Sequence, residues 1–346
     1  MTISRNIEFV NNNAKVYYSG QQLNGVVRIG LDVETQIKTF TILPAGISEF
    51  PFSVQLPNNL ATSYEGTYGQ VRYIVSLNIE TSSTERNHVP EALMENFTII
   101  RPLNLNTVRA FQMPMYTRLT ARFNKCFFIC CWKTPNLTLF ARLPVSGYCA
   151  GQIMNLTLRL VNSTGVVVYK ILVQFVLVVT YRSNEGLQKK ENLQLDEKRI
   201  EVFRNGTATC DITVPSVPPT TFSDYHIVGF NYFLRIVVVT GLTHRNPVFN
   251  IPIIIGTFPI LDEVLSAAAR RENTADPVVP ATEEAFIRRS PSIISLNSTY
   301  LPPYSDEDPP TYEEAIRGTL PRNENFVPSY PTYRRATSYS CETLNL

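Results

Sequence analysis

Short stretches of alternating apolar and polar residues dominate the chain from about residue 7 to residue 258. Apolar side chains recur at every second position in four clear runs: Val27, Ile29, Leu31, Val33; Phe50, Phe52, Val54, Leu56; Val71, Tyr73, Val75, Leu77; and Leu156, Leu158, Leu160. This period places one face of a strand on a core and leaves the other in water. Because helical periodicity is nearly absent here, the pattern predicts an all-β protein of the β-sandwich type.

An internal repeat divides this range into two similar halves. The stretch GQQLNGVVRI from Gly20 resembles GQIMNLTLRL from Gly151, at an offset of 131 residues. EFPFSVQLP, ending at Pro57, resembles ATCDITVP, ending at Pro215, 158 residues later, and QVRYIVSL resembles GFNYFLRI at an offset of 159. The order of these matches predicts two copies of one sandwich, the first shorter by about 27 residues.

The missing residues can be assigned to a place in the first copy. After Leu160 the second copy continues through VVVYKILVQFVLVVTYRS, interpreted as a long buried strand or strand pair, and then through a polar connection, NEGLQKKENLQLDEK. In the first copy LDVETQIKTF passes almost directly into TILPAG. The first sandwich is therefore predicted to lack one or two strands near residue 40, with exposed strand edges and a gap in its core.

Composition changes after Pro259. The stretch ILDEVLSAAARRE, residues 260–272, has apolar positions at helical spacing and predicts a short helix. Residues 274–346 are rich in Pro, Ser, Thr and Glu with little periodicity, which predicts a disordered tail.

Charge and apolar runs exclude several classes of protein. The net charge of +2, from 31 basic and 29 acidic residues, implies no strong field for nucleic acid. The N-terminus has no signal-peptide pattern, and the most apolar run, residues 166–182, is broken by Lys170 and Gln174 well short of the roughly 20 apolar residues of a membrane span. We therefore expect a cytoplasmic protein whose six cysteines are reduced thiols.

Catalytic signatures are missing from the sequence. The three histidines, His88, His226 and His244, have no metal-ligand spacing, and no GxSxG, P-loop or Rossmann glycine pattern occurs. The sequence therefore predicts neither an enzyme nor a bound cofactor or metal.

Several phrases taken together resemble one family. SGQQLNG with VVRI, LPAGISEFPFSVQLP, SYEGTYGQVRYIV, CFFICC, GYCAGQ and IPIIIGTFP are similar to the arrestin domain-containing proteins, the α-arrestins, over roughly residues 7 to 258. The resemblance implies two tandem arrestin-type, immunoglobulin-like lobes: an N-like lobe at 5–104, a connection at 105–135, a C-like lobe at 136–258 and a tail at 259–346. The sequence departs from the family between Phe40 and Thr41, where the middle strands of the first lobe are missing. An alternative transcript and a faulty gene model both account for this gap.

Two proline–tyrosine motifs lie in the tail. Residues 309–312 form a full PPxY motif and residues 301–304 its LPxY variant. Consecutive prolines favour polyproline II, and WW domains clamp such a proline between aromatic rings and accept the tyrosine in a neighbouring pocket. The predicted WW-binding residues are Pro309, Pro310, Tyr312, Leu301, Pro302 and Tyr304. The simpler interpretation is a proline-rich spacer.

Two weaker tail motifs, VPSY at 327–330 and YPTY at 330–333, lack the first proline. The resemblance implies that the PPxY tail recruits WW domains of Nedd4-type HECT ubiquitin ligases while the lobes hold membrane-protein cargo. The cargo is then ubiquitinated, endocytosed and sorted at plasma membrane and endosomes. The alternative is a trafficking scaffold of arrestin or retromer-like type, independent of ubiquitin, whose tail is incidental.

A cysteine-rich stretch, KCFFICCWK at residues 125–133, joins the two predicted lobes. Cys126, Cys130 and Cys131 lack the CxxC pairs or histidines of a zinc site. Nearby basic residues make S-palmitoylation one alternative. A buried strand whose cysteines act as small hydrophobic residues is the favoured one.

Overall fold

A computed structural model describes residues 3–10, 12–32, 45–77, 93–123, 136–183, 185–201, 205–222, 227–241, 245–261 and 326–333. Over these ranges the regular structure is β-strand, apart from one short 3-10 helix at Arg109–Gln112. The predicted all-β fold with two arrestin-type sandwich lobes is confirmed. No helix within the described residues has the length and apolar character needed to cross a membrane.

Within the described ranges the first lobe contains eight strands. These are β1 Ile3–Phe9, β2 Val16–Tyr18, β3 Gln22–Leu31, β4 Gly46–Gln55, β5 Tyr64–Glu65, β6 Gln70–Val71, β7 Tyr73–Leu77 and β8 Leu93–Ile100. They form two three-stranded sheets, ordered β1-β3-β4 and β2-β8-β7, and the small hairpin β5-β6. The pairing of β2 with β8 is parallel, and the others are antiparallel.

The second lobe has longer strands in larger sheets. These are β9 Met115–Arg122, β10 Asn136–Leu143, β11 Gly147–Cys149, β12 Ile153–Asn162, β13 Val168–Arg182, β14 Gln188–Glu201, β15 Asn205–Thr213, β16 Val228–Thr240 and β17 Val248–Gly256. One sheet is ordered β15-β12-β10-β9 and the other β11-β17-β16-β13-β14. Strand β9 falls inside the predicted connection at 105–135, but it pairs along its length with β10.

Strand pairing reproduces the repeat seen in the sequence. The β1-β3-β4 sheet corresponds to β10-β12-β15, and the parallel pair β2-β8 corresponds to the parallel pair β11-β17. The two matching glycines have nearly the same left-handed backbone, with φ of 85° at Gly20 and 88° at Gly151. This conformation is disfavoured for residues with a Cβ, which explains why both copies place glycine there.

The long strands β13 and β14 have no counterpart among the described residues of the first lobe. The predicted polar connection at 184–198 is wrong, because most of it is strand β14, which pairs with β13 from Arg182–Gln188 to Lys170–Glu201. Its polarity reflects an edge position, since only alternate residues such as Leu193 and Leu195 pack on the core. An edge strand carries charged residues on its open side, so composition alone made it resemble a loop.

The cores of the two lobes differ in extent. One large buried cluster fills the second lobe and includes Phe175, Tyr232 and Leu234. The first lobe has a separate aromatic cluster containing Phe9, Tyr17 and Phe97 and a further small group around Ile29 and Leu31. No residue of β4 is buried, and Ile47 on it is 76% exposed. Among the described residues the first lobe has no strands equivalent to β13 and β14, which accounts for this smaller core, whereas the predicted loss of strands near residue 40 lies outside the described ranges.

Candidate functional site: the groove between the lobes

The residues predicted to carry function lie outside the described ranges. This holds for the WW-binding residues Leu301, Pro302, Tyr304, Pro309, Pro310 and Tyr312, for Cys126, Cys130 and Cys131, and for most of the predicted helix at 260–272. The three histidines are also outside them. Within the described residues, no three His, Cys, Asp or Glu side chains are grouped as metal ligands would be.

The first contact between the lobes is made by the inter-lobe hairpin, residues 64–71, which carries β5 and β6. Tyr64 is buried among residues of the second lobe, with its ring centroid 4.9 Å from that of Phe230. A Cβ on Gly66 would come within 2.2 Å of the Tyr181 hydroxyl. Glycine therefore allows the turn of the hairpin to rest directly on β13.

Polar groups complete this contact at Glu191 on β14. One carboxylate oxygen accepts a hydrogen bond from the Tyr181 hydroxyl at 2.8 Å, and the other accepts one from the Thr67 hydroxyl at 2.8 Å. The ammonium group of Lys189 lies 3.7 Å from the ring centroid of Tyr68, a cation–π contact. Burial, followed by the nearby Glu191 carboxylate, raises the pKa of Tyr181. Strand β14 thus provides the surface on which the hairpin docks.

The second contact between the lobes is made by residues that follow β8 in the chain. Leu105 is fully buried in the second lobe, and its backbone N–H donates to the Phe258 carbonyl at 3.3 Å. A Cβ at Gly256 would meet the Leu105 side chain at 2.5 Å. The chain leaving the first lobe is thereby fixed against the end of β17.

The tail supplies a third contact through residues 326–333, here called the tail segment. On the first lobe, the Ser329 N–H donates to the Thr98 hydroxyl at 3.2 Å and the Tyr330 hydroxyl donates to the Ser63 carbonyl at 2.7 Å. On the second lobe, the Ser216 hydroxyl donates to the Tyr330 carbonyl at 2.6 Å. The segment therefore bridges both lobes through hydrogen bonds, and the surface that it occupies beside Ser63, Thr98, Ala150 and Ser216 is here called the groove.

Apolar packing accompanies these bonds. Pro328 is buried, Tyr333 packs on the core of the second lobe, and the Tyr333 N–H donates to the Ala150 carbonyl at 2.7 Å. A Cβ on Gly151 would lie 2.4 Å from the Tyr333 carbonyl oxygen, so glycine permits the close approach. A residual cavity of about 20 Å³ remains beside Tyr330 and Pro331, so the segment nearly fills this part of the groove.

The surroundings of Tyr330 favour its neutral form. Burial raises the pKa of the Tyr330 phenol, and neighbouring Tyr64 and Glu65 raise it further. Glu65 is itself paired with Arg72 at 2.5 Å and 2.8 Å. The phenol enters the groove as a neutral donor.

The prediction that residues 274–346 are disordered is wrong for the tail segment. Its eight residues, FVPSYPTY, form neither helix nor strand, so no periodicity could reveal it. Its composition carried a signal, because it has three aromatic residues and no charged one between Glu324 and Arg334. An uncharged aromatic stretch in a polar tail is typical of a segment that docks on a folded surface.

A more open cleft of about 220 Å³ lies between the lobes beside the tail segment. The first lobe lines it with Ala61 and Arg101, and the second lobe with Thr220, Phe222 and Phe230. Burial lowers the pKa of Arg101. The groove and this cleft both lie at the boundary between the lobes.

Two family models match the chain in order. The model of the arrestin (or S-antigen) N-terminal domain matches residues 33–106, and that of the arrestin (or S-antigen) C-terminal domain matches residues 134–260. Together the two matched ranges include the strands that contribute to the groove.

Similar proteins carry related names. Arrestin domain-containing protein 1 of Mus musculus is 24% identical over 250 residues, covering 70% of this chain and 55% of that protein. Its Homo sapiens counterpart is 24% identical over 219 residues, covering 63% and 48%. Arrestin domain-containing protein 4 of Mus musculus is 24% identical over 321 residues, covering 88% and 67%. The chain spans about half the length of the first two relatives.

Proposed function

The chain belongs to the arrestin domain-containing proteins, the α-arrestins, and from that premise we propose that it is an adaptor for ubiquitin ligases. Its lobes bind the cytosolic parts of membrane-protein cargo. Its motifs at 301–304 and 309–312 bind WW domains of Nedd4-type HECT ligases. It acts in the cytoplasm and is recruited to plasma membrane and endosomes.

The observation that carries the proposal is the placement of two proline–tyrosine motifs after a two-lobed arrestin body. LPPY and PPTY follow the last described strand, β17, and precede the docked tail segment in sequence. Consecutive prolines lower the entropy lost on binding, because φ is already near −65°. The tyrosines are eight residues apart, about 25 Å in polyproline II at roughly 3.1 Å per residue, so one ligase can be captured at either motif in turn.

The mechanism is proximity. An adaptor that holds cargo and ligase together raises the local concentration of the ligase at the lysines of the cargo. No chemical step is assigned to the adaptor itself. Phosphorylation of Tyr312 would add negative charge in a largely apolar WW pocket and weaken ligase binding.

The test compares matched tail peptides and matched full chains. We expect a peptide of residues 301–318 to bind isolated WW domains, and the Tyr304→Ala/Tyr312→Ala peptide to lose at least about tenfold in affinity. Thr311→Ala is the matched control, since the third position of PPxY is variable. In cells, purification of the full chain with the double substitution should lose Nedd4-type ligases that the Thr311→Ala chain retains.

Two outcomes would contradict the proposal. One is unchanged WW binding by the double variant. The other is unchanged cargo ubiquitination by that variant, which would instead favour a trafficking scaffold whose tail is incidental.

A further inference from the structure

We propose that the groove between the lobes is a docking site for an extended proline–tyrosine peptide with an unmodified tyrosine, and that the tail segment is its resident occupant. The tail segment thereby closes the two lobes on each other. The inference does not depend on binding of WW domains or ubiquitin ligases, so it stands or falls separately from the proposed function.

The groove exists only when both lobes are in place. The tail segment makes one hydrogen bond to each of four residues, Ser63 and Thr98 of the first lobe and Ala150 and Ser216 of the second. A ligand bound from both sides favours the lobe arrangement in which all four groups converge. Binding of the segment and closure of the lobes are therefore thermodynamically coupled.

Proline suits the shape of this groove. Pro328 is buried and carries no N–H, so its insertion leaves no donor without a partner. The amides that donate to the body, those of Ser329 and Tyr333, both follow this proline in the chain. An occupant with proline at this position and amide donors one and five residues after it fits, and an extended backbone reduces the entropy lost on docking.

Tyr330 is the anchor of the segment. Its hydroxyl donates to the carbonyl of Ser63, a residue that is fully buried. Removing the hydroxyl would take away the donor that this buried carbonyl uses, which costs more than a surface hydrogen bond. Tyrosine is therefore preferred over phenylalanine.

The same pocket discriminates against phosphotyrosine. A phosphate ester at the Tyr330 oxygen has no proton to donate to Ser63 and carries a charge of about −1.5 to −2. Glu65 and Tyr64 lie near enough to the phenol to raise its pKa, and Glu65 is already engaged by Arg72. A phosphorylated segment is therefore excluded, and the groove would stay unoccupied until the phosphate is removed.

Docking of the tail segment also affects whether the two weaker tail motifs are available for binding. VPSY and YPTY share Tyr330, whose hydroxyl and carbonyl both bond to the body. While the tail segment is docked in the groove, neither motif can present its tyrosine to a WW domain. The groove and a WW domain would compete for the same residues.

The test uses the full chain and a labelled peptide of residues 324–335. We expect the peptide to bind the Tyr330→Ala chain at least about tenfold more tightly than the wild-type chain, because the wild-type segment occupies the groove at high effective concentration. Peptides carrying Tyr330→Ala or phosphotyrosine at 330 should bind at least about tenfold more weakly than the unmodified peptide. Val327→Ala is the matched chain control, since Val327 is 80% exposed, and that chain should behave as wild type.

Hydrogen exchange provides a second measurement on the same chains. In the wild-type and Val327→Ala chains the amides of Ser329 and Tyr333 should be protected, and in the Tyr330→Ala chain they should lose that protection. Unprotected amides in the wild-type chain would overturn the proposal, as would equal peptide binding to all three chains. The molecular mass in solution distinguishes a further case. A wild-type mass that rises with protein concentration, together with the mass of a single chain for Tyr330→Ala, would overturn the proposal that the segment docks on its own chain. It would indicate exchange of tails between two copies.

Discussion

At the scale of single residues, one turn occurs twice with nearly the same hydrogen bonds. The Tyr18 N–H donates to the Gln21 side chain at 2.8 Å, and the Cys149 N–H donates to the Gln152 side chain at 2.8 Å. The backbone of each glutamine also donates to the residue three before it, at 3.1 Å in both copies. The Gly-Gln pair of the repeat is therefore explained by local bonding: glycine supplies the left-handed φ and glutamine caps the turn.

Substitution of the two glutamines should lower the free energy of unfolding by different amounts in the two copies. We expect Gln152→Ala to lower the free energy of unfolding by about 1–2 kcal/mol, because the Cys149 amide it leaves is buried. Gln21→Ala should cost about 0.5–1 kcal/mol, because its bond is exposed to water. Chemical denaturation measures both, with Gln152→Glu as the control that keeps an acceptor oxygen. Equal losses in the two copies would contradict the role of burial.

At the scale of elements, the sequence predicted strands well wherever one face is apolar. β3 and β12 appear where alternation predicted them, with buried Leu23, Ile29 and Leu31 on the first and Leu156, Leu158 and Leu160 on the second. β14 could not be recognised in this way, because its only apolar residues are Leu193, Leu195 and Ile200 and its other positions are polar, as on the open side of an edge strand. The inter-lobe hairpin was equally hidden, since β5 and β6 have only two residues each and depend on packing against β13.

Glu191 tests whether β14 holds the inter-lobe hairpin. We expect Glu191→Ala to lower the free energy of unfolding by about 1.5–3 kcal/mol, since it removes a charged acceptor from the Tyr181 and Thr67 hydroxyls. Glu197→Ala is the matched control on the same strand, because its bond to Gln174 is exposed, and it should cost less than about 0.5 kcal/mol. Denaturant unfolding gives both values. A loss at Glu197 as large as that at Glu191 would show that the hairpin gains nothing from this contact.

At the scale of the molecule, the two-lobed plan followed from the repeat, whereas the arrangement of the lobes did not. Strand patterns report which side chains face a core, and each lobe has its own. The contacts that join the lobes involve backbone groups, such as the carbonyls of Ser63 and Ala150, and a tail segment with no periodicity. Such contacts depend on the folded shapes of both lobes, so local sequence does not encode them in a readable pattern.

Unequal cores should make the lobes unequal in stability. The matching positions Leu23 on β3 and Met154 on β12 are both buried, but the first lies in the small aromatic cluster and the second in the large core. In native-state hydrogen exchange of the wild-type chain, we expect amides of β3 and β4 to exchange at least about tenfold faster than those of β12 and β15. Leu23→Ala should remove about 2–5 kcal/mol from the first lobe and accelerate exchange there while leaving β13 and β16 unchanged. Met154→Ala is the matched variant and should accelerate exchange throughout the second lobe. If either variant accelerated exchange equally in both lobes, the two would unfold as one cooperative unit, and the smaller core of the first lobe would not make that lobe separately weak.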